Sequence, residues 1–281
     1  MTKTLSTELL NKRDQLLEMI RSYDSCAVAF SAGVDSAVVA KAAALALGDR
    51  AVAATGVSAS LAAGELEEAR ETAKLIGIRH LEVETRELSQ PEYVQNPPDR
   101  CYHCRTELHR ELTELRRQLD AAVLLDGANA DDLHDYRPGT RAASEHHVRS
   151  PLADCGFTKA DVRELARAWE LPIWDKPATP CLSSRVAYGE AVTEERLAMI
   201  DRAERVLRDE GFDTCRVRYH RGDLARVEVP AEQIPSLLAE EVRCRLVDHL
   251  NQLGFKFVTL DLQGFRSGSL NVLVSQEELI Q

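Results

Sequence analysis

The stretch CAVAFSAGVDSAVVAKAAALALG, residues 26–48, decides the fold. Its apolar opening, 26–30, suits a strand buried on both faces, and Asp35 to Leu47 reads as a helix. Between them lies the run Ser31-Ala32-Gly33-Val34-Asp35-Ser36. Small residues at a strand-to-helix turn let backbone N–H groups approach an oxyanion, and the positive end of the helix dipole points at the same spot. The loop therefore reads as a phosphate or pyrophosphate cradle. It carries neither the lysine of a Walker loop nor GxGxxG spacing, so the common nucleotide fingerprints are absent. The plainer reading is a tight turn in which Asp35 or Ser36 caps the helix.

Working outward, further β-rich runs fall at 51–57 (AVAATGV), 80–85 (HLEVET) and 121–126 (AAVLLD). Helical patterns separate them at Ala62 to Ile76 and Tyr102 to Leu119, and Thr158 to Trp169 opens with a Thr-x-x-Asp capping pattern. Short apolar strands alternating with helices predict an α/β fold, a doubly wound parallel sheet. Pro172, Pro177, Pro180 and Gly189 then interrupt 171–189, which places a domain boundary there. The expected division is 1–178, a linker 179–189 carrying Cys181, and a smaller α+β domain over 190–281. In the latter, a helix is expected at Thr193 to Glu210, strands at 215–220, 225–229 and 256–262, and helical stretches between 231 and 252.

Composition narrows the function. Acidic residues number 46 against 35 lysines and arginines, a net charge of -11, which argues against a broad grip on nucleic acid and requires any anionic ligand to meet a local cluster. The apolar stretch Ala37 to Leu47 is short and broken by Lys41, and MTKTLSTELL lacks a signal pattern, so a cytoplasmic protein with no membrane partner is expected. Seven cysteines in a chain of 281 residues point to reduced thiols, with metal binding or catalysis as the informative options.

The segment LLDGANADDLHDYRPGTRA, 124–142, follows a predicted strand and sets Asp126, Asn129, Asp131, Asp132 and Asp135 at the carboxyl edge of the sheet, where open α/β sheets bind ligands. Carboxylates beside a phosphate site suit Mg²⁺; an acidic helix start with capping aspartates is the alternative. Ser58, after the second strand, is placed to touch a nucleotide. Cys101 and Cys104 form a C-x-x-C pair, and Cys181 lies in TPCLSSR. Three thiolates with one open position suit a [4Fe-4S] cluster with an unligated iron, or zinc completed by His103 or an external ligand; three unrelated buried thiols are the alternative. Cys26, Cys155, Cys215 and Cys244 read as structural. Arg185 lies four residues past Cys181, and Arg216 and Arg218 share one face of a predicted strand, where guanidinium groups suit phosphate capture or simply line a solvated face.

SAGVDS resembles the Ser-Gly-Gly-x-Asp-Ser loop of the N-type ATP pyrophosphatases, the PP-loop superfamily, with Ala32 departing from the second position. An alanine there is compatible only with negative φ, so no left-handed residue is expected. Together with NPPDRCYHC, DGANADDLHDYRPG, PCLSSRVAYGEAVTEERL and GFKFVTLDLQGFRSGSLN, it is similar along nearly the whole chain to the LarE family, ATP-dependent sulfur transferases that mature the nickel-pincer nucleotide of lactate racemase. The resemblance implies ATP as cofactor, with Ser31, Gly33, Asp35, Ser36, Ser58, Gly127, Asn129 and Asp132 binding it. It further implies that the carboxylates of a pyridinium biscarboxylate mononucleotide are adenylated, then converted to thiocarboxylates with sulfur from a donor. Cys101, Cys104 and Cys181 place the chain with the branch that looks to hold a [4Fe-4S] cluster, Arg185, Arg216 and Arg218 would hold the substrate phosphate, and Glu204 matches a glutamate associated with metal. The C-terminal domain would serve substrate binding and a homo-oligomer. Two other readings stay open: tRNA thiolation or amidation by the same ATP chemistry, and a non-catalytic, nucleotide-responsive zinc protein.

Overall fold

The computed structural model describes residues 5–133, 138–177, 179–266 and 268–273. It divides into two units, Met1–Ser58 with Gly64–Arg86 and Cys101–Thr179, and Ala59–Ala63 with Glu87–Arg100 and Pro180–Gln281.

In the first unit, α1 (Thr7–Arg21) precedes β1 (Cys26–Ala29), and α2 (Val34–Leu47) leads to β2 (Ala51–Val57). After α3 (Glu65–Ile76) comes β3 (Arg79–Glu84). The short α4 (Pro91–Val94) lies in the second unit, then α5 (Arg100–Gln118) leads to β4 (Val123–Leu125). The helices α6 (Pro138–Glu145), α7 (Pro151–Asp154) and α8 (Lys159–Ala168) complete it. The four strands pair in parallel in the order β3-β2-β1-β4, with Cys26 opposite both Ala51 and Val123. Strands β1 and β2 are buried because helices cover them, whereas edge strand β3 is exposed at Arg79, Glu82 and Glu84, which explains the charges in its sequence. Helix α2 lacks a polar face because Val34, Ala37, Val38, Val39, Ala40, Ala42 and Ala43 are all buried. The strand order reverses between β1 and β4, and the switch point between their carboxyl ends is where doubly wound sheets open a ligand crevice.

In the second unit, α9 (Glu194–Asp209) packs on a sheet of β5 (Arg216–His220), β6 (Leu224–Glu228) and β7 (Phe257–Leu260). Strands β5 and β6 are antiparallel and β6 and β7 parallel, with α10 (Ile234–Leu237) and α11 (Glu240–Gln252) in the crossover. Two features depart from contiguous domains at 1–178 and 190–281. Residues 59–63 and 87–100 belong with the C-terminal part, because Ser60 O accepts from Leu182 N (2.9 Å) and Asn96 Nδ2 donates to the carbonyls of Val186 and Ala187. Nor is 179–189 a free linker: Leu182, Ser183 and Arg185 are buried in a 3₁₀ turn, and Val186 bridges Tyr219 of β5. Among the described residues, no helix is long and apolar enough to cross a membrane.

Candidate active site

The loop after β1 is built by its own serines. Ser36 Oγ donates to Gly33 O (3.0 Å) and accepts from Ser31 N (3.2 Å), so the second serine ties the loop to the first turn of α2. Gly33 is the N-cap residue and no side chain caps the helix, so its first-turn N–H groups keep their direction for an incoming anion. Ala32 has φ of 53°, against the expectation of negative φ. The reason is the turn itself: the chain must leave β1 and enter α2 within a few residues, and a left-handed residue achieves the reversal even though an L side chain there is strained by about 1–2 kcal/mol.

Gly127, just beyond β4, packs against this loop. A Cβ on it would stand 2.7 Å from Ser36 N and 3.0 Å from the carbonyl carbon of Asp35, so only glycine lets the two carboxyl-end loops approach this closely. Asn129 Nδ2 donates to Asp35 Oδ1 (3.2 Å), and Lys159 Nζ bonds Asp35 Oδ2. Lys159 is the residue that sequence reasoning missed. The Thr158 and Asp161 capping box forms, with Asp161 N donating to Thr158 Oγ1 (3.2 Å) and Thr158 N to Asp161 Oδ2 (3.0 Å); it sets Lys159 on the first turn of α8. The legible signal was the capping pattern; the packing of α8 beside α2 was not encoded in any local spacing.

The acidic segment after β4 is largely occupied by its own turns. Asp126 Oδ1 accepts from Ala128 N and Ser150 Oγ, Asp131 Oδ2 from Lys159 N (2.8 Å), and Asp132 Oδ2 from Asn129 N (3.1 Å). Asp35 is the carboxylate of the group that is joined to the cradle itself. Asp135 lies outside the described residues. Ser58 ends the first stretch of the first unit, directly after β2.

The seven thiols separate by environment, and none is in a disulfide. Cys26 and Cys215 are buried, and loss of solvation pushes both up to about 12, which suits inert core thiols. Cys101 is exposed and Cys104 half-buried, one helical turn apart at the start of α5 in the first unit. Cys181 is exposed in the second unit, at the N-cap of the 3₁₀ turn Leu182–Arg185. Cys244 is exposed as well, and Cys155 is half-buried. Among the described residues, no three His, Cys, Asp or Glu side chains stand together as a metal-binding group.

The three predicted phosphate arginines differ in what they hold. Arg185 is buried, with Nε and Nη2 on the Glu204 carboxylate at 3.0 and 3.2 Å and Nη1 on the carbonyls of Pro180 and Cys181. Glu204, buried on α9, also accepts from Val217 N, and its charged partner is Arg185. Arg218 is likewise buried and bound through Nε and Nη2 to Glu228. Arg216 alone of the three forms no ion pair among the described residues: it donates to Cys215 O and lies over the Phe265 ring at 5.3 Å. Loss of solvation, with Arg185 nearby, holds its guanidinium below the usual arginine range, the condition under which an added anion gains most.

No protein-family model matches. The chain is 46% identical over 268 residues, 95% of its length and 100% of the relative, to an uncharacterised protein of Synechocystis sp.. It is 36% identical over 272 residues, 96% of its length and 98% of the relative, to the pyridinium-3,5-bisthiocarboxylic acid mononucleotide synthase of Lactiplantibacillus plantarum. A partial match, 32% identical over 211 residues, covers 60% of the chain and 53% of the tRNA-specific 2-thiouridylase MnmA of Azorhizobium caulinodans.

Proposed function

This chain belongs to the LarE family, the pyridinium-3,5-bisthiocarboxylic acid mononucleotide synthases, and we propose that it converts pyridinium-3,5-biscarboxylic acid mononucleotide to its thiocarboxylates at the expense of ATP. The observation that carries this reading is the uncapped start of α2 at the switch point, closed from one side by Gly127 and joined to Lys159 through Asp35. The partial likeness to a tRNA thiolase supports the shared ATP chemistry and no more.

A carboxylate is a poor electrophile. Attack of its oxygen on the α-phosphorus of ATP forms an acyl–O–P bond, breaks the bond to the β-phosphate and releases pyrophosphate. The first-turn N–H groups of α2 and the Ser31 and Ser36 hydroxyls meet the departing charge, and Lys159 can turn from Asp35 to a phosphate oxygen. Mg²⁺ needs only one or two protein carboxylates when phosphates complete its shell, and Asp35 fits that requirement. A sulfur nucleophile then attacks the acyl carbon, the C–O bond to AMP breaks, and AMP leaves with the electron pair. Arg216 is the side chain suited to the substrate's own phosphate, since its guanidinium is half-buried and, among the described residues, donates its hydrogen bond to a carbonyl and forms no ion pair.

By its chemistry, a set of three thiolates suits a [4Fe-4S] cluster: Cys101, Cys104 and Cys181 would hold it, and the buried Cys26 and Cys215 would not. When bound, it would supply sulfur at an iron without a protein ligand. The test is iron and sulfide content after anaerobic purification, followed by single replacement of each of these cysteines by alanine. We expect about four irons per chain. Each variant should lose thiocarboxylate formation by about 10³-fold or more while ATP-dependent pyrophosphate release persists; Asp35→Ala should lose pyrophosphate release and keep its iron. Zinc without iron, or parallel loss of both activities in the cysteine variants, counts against the assignment.

A further inference from the structure

The loop that presents Cys181 is held by its carbonyl groups. Pro180 O and Cys181 O accept from Arg185 Nη1, the latter at 2.9 Å. Ser183 O accepts from Arg100 Nη1 (2.8 Å) and Ser184 O from Arg218 Nη1 (3.1 Å). Cys181 O also receives the backbone N–H of Ser184 (3.0 Å) and its hydroxyl (2.8 Å). Three buried guanidinium groups thus hold four carbonyls of a five-residue turn, and the Cys181 side chain is left exposed.

Arg185 is the centre of this arrangement. Its planar fork reaches two consecutive carbonyls on one side and a carboxylate on the other, which no ammonium can do. Glu204 fixes the far side, and because it also accepts Val217 N (3.2 Å) it registers the loop against both α9 and β5. Two charges in the interior are a poor way to gain stability, since an apolar pair of similar volume usually serves as well or better. Their use beside an exposed thiol points to placement.

We propose that Arg185 and Glu204 are positioning residues for the Cys181 thiol, and that neither contacts substrate phosphate or metal. This rests on the reading above, in which Cys181 is one of the thiolates that would hold the group supplying the sulfur. Transfer requires sulfur near the acyl carbon, and small misplacements there weaken reaction steeply. The pair therefore governs turnover and leaves substrate affinity unchanged.

The test uses the full chain. Arg185→Lys keeps a cation opposite Glu204 but loses the fork. The double variant Arg185→Met with Glu204→Leu removes both charges together, so that no buried charge is left unpaired, and it is expected to melt close to the parent. In each, kcat for thiocarboxylate formation should fall about tenfold or more while KM for the mononucleotide and the rate of pyrophosphate release stay within about threefold. Glu204→Gln, which keeps an acceptor oxygen, should recover part of the loss. A nitroxide attached to Cys181, with Cys101, Cys104 and Cys244 replaced by serine, should give narrower lines in Arg185→Lys and in the double variant than in the parent.

A rise of about tenfold in KM with kcat intact would assign Arg185 to phosphate and overturn the proposal. Unchanged nitroxide lines in Arg185→Lys would overturn it too. If the parent itself forms no thiocarboxylate, the reading of the reaction fails, and the nitroxide lines still decide whether this pair fixes Cys181.

Discussion

The loop after β1 and the loop around Cys181 solve opposite problems. The first leaves backbone donors unanswered among the described residues: no side chain caps α2, and Lys159 stands on the Asp35 carboxylate beside it. In the second, four carbonyls are already answered by Arg100, Arg185 and Arg218, and Glu204 and Glu228 answer two of those arginines. A site for a mobile anion needs open valence, because the ligand supplies the missing partners. A site that presents a thiol needs closed valence, because nothing arrives to hold the chain still.

The same contrast extends to burial. Two pairs of deep charges lie in the second unit, Arg185 with Glu204 and Arg218 with Glu228. The first unit also buries His109 on α5, with neither ring nitrogen hydrogen-bonded among the described residues. Loss of solvation, helped by Arg105 and His146, pushes it down to about 3.

The sharpest way to break the comparison is to disturb the open loop without touching a chemical group. Gly127→Ala puts a methyl 2.7 Å from Ser36 N, against backbone that cannot step aside. We expect pyrophosphate release to fall by about 10²-fold, since a shift of about 1 Å in a positioning element has that size of effect. The nitroxide on Cys181 should not respond. A variant with normal pyrophosphate release would mean that this cradle does not hold the triphosphate.

His109 gives a smaller and pH-dependent effect. Its folded value near 3 lies below the unfolded value near 6.5, so the unfolded chain binds the proton first. Stability is complete above about pH 6.5 and declines as pH falls toward 3, by at most about 1.4 kcal/mol per unit. Melting followed between pH 7.5 and 5 should show this decline, and His109→Leu should flatten it. An equal slope in both proteins would place the titrating group elsewhere.

These differences also decide what was legible in the sequence. The open loop is written in consecutive residues: an apolar strand, then Ser31 to Ser36, then a helix, so strand, turn and helix all follow from one window. Three of the parallel strands, β1, β2 and β4, were legible for the same reason, since burial on both faces leaves a short continuous apolar run. The closed loop is written across the chain. Arg185 and Glu204 are 19 residues apart, Ser183 and Arg100 83 apart, and no spacing rule joins them. Arginines near a cysteine therefore read as phosphate ligands, although the partners of Arg185 and Arg218 are internal. The discontinuous second unit was hidden likewise, because Ser60 and Asn96 declare their partners only in three dimensions.

Ala32 is the smallest test and the one that turns a sequence inference around. The expectation of negative φ assumed that an alanine would not be kept where glycine is easier, yet it stands at φ 53° and is fully buried. Both facts enter the balance. The left-handed conformation disfavours alanine by about 1–2 kcal/mol, while a buried methyl contributes about 0.8 kcal/mol and alanine restricts the unfolded chain by a further 0.5–1 kcal/mol, roughly. The opposing contributions nearly cancel, which is how an alanine survives here. Ala32→Gly should accordingly leave the melting temperature within about 2 °C of the parent. It should also leave pyrophosphate release unchanged, because the donors around the anion are backbone groups and serines that the methyl does not touch. Ala32→Val, whose branched side chain tolerates positive φ still less, should melt well below both. If valine were as stable as alanine, residue 32 would not be left-handed, and the turn from β1 into α2 would have to be made differently.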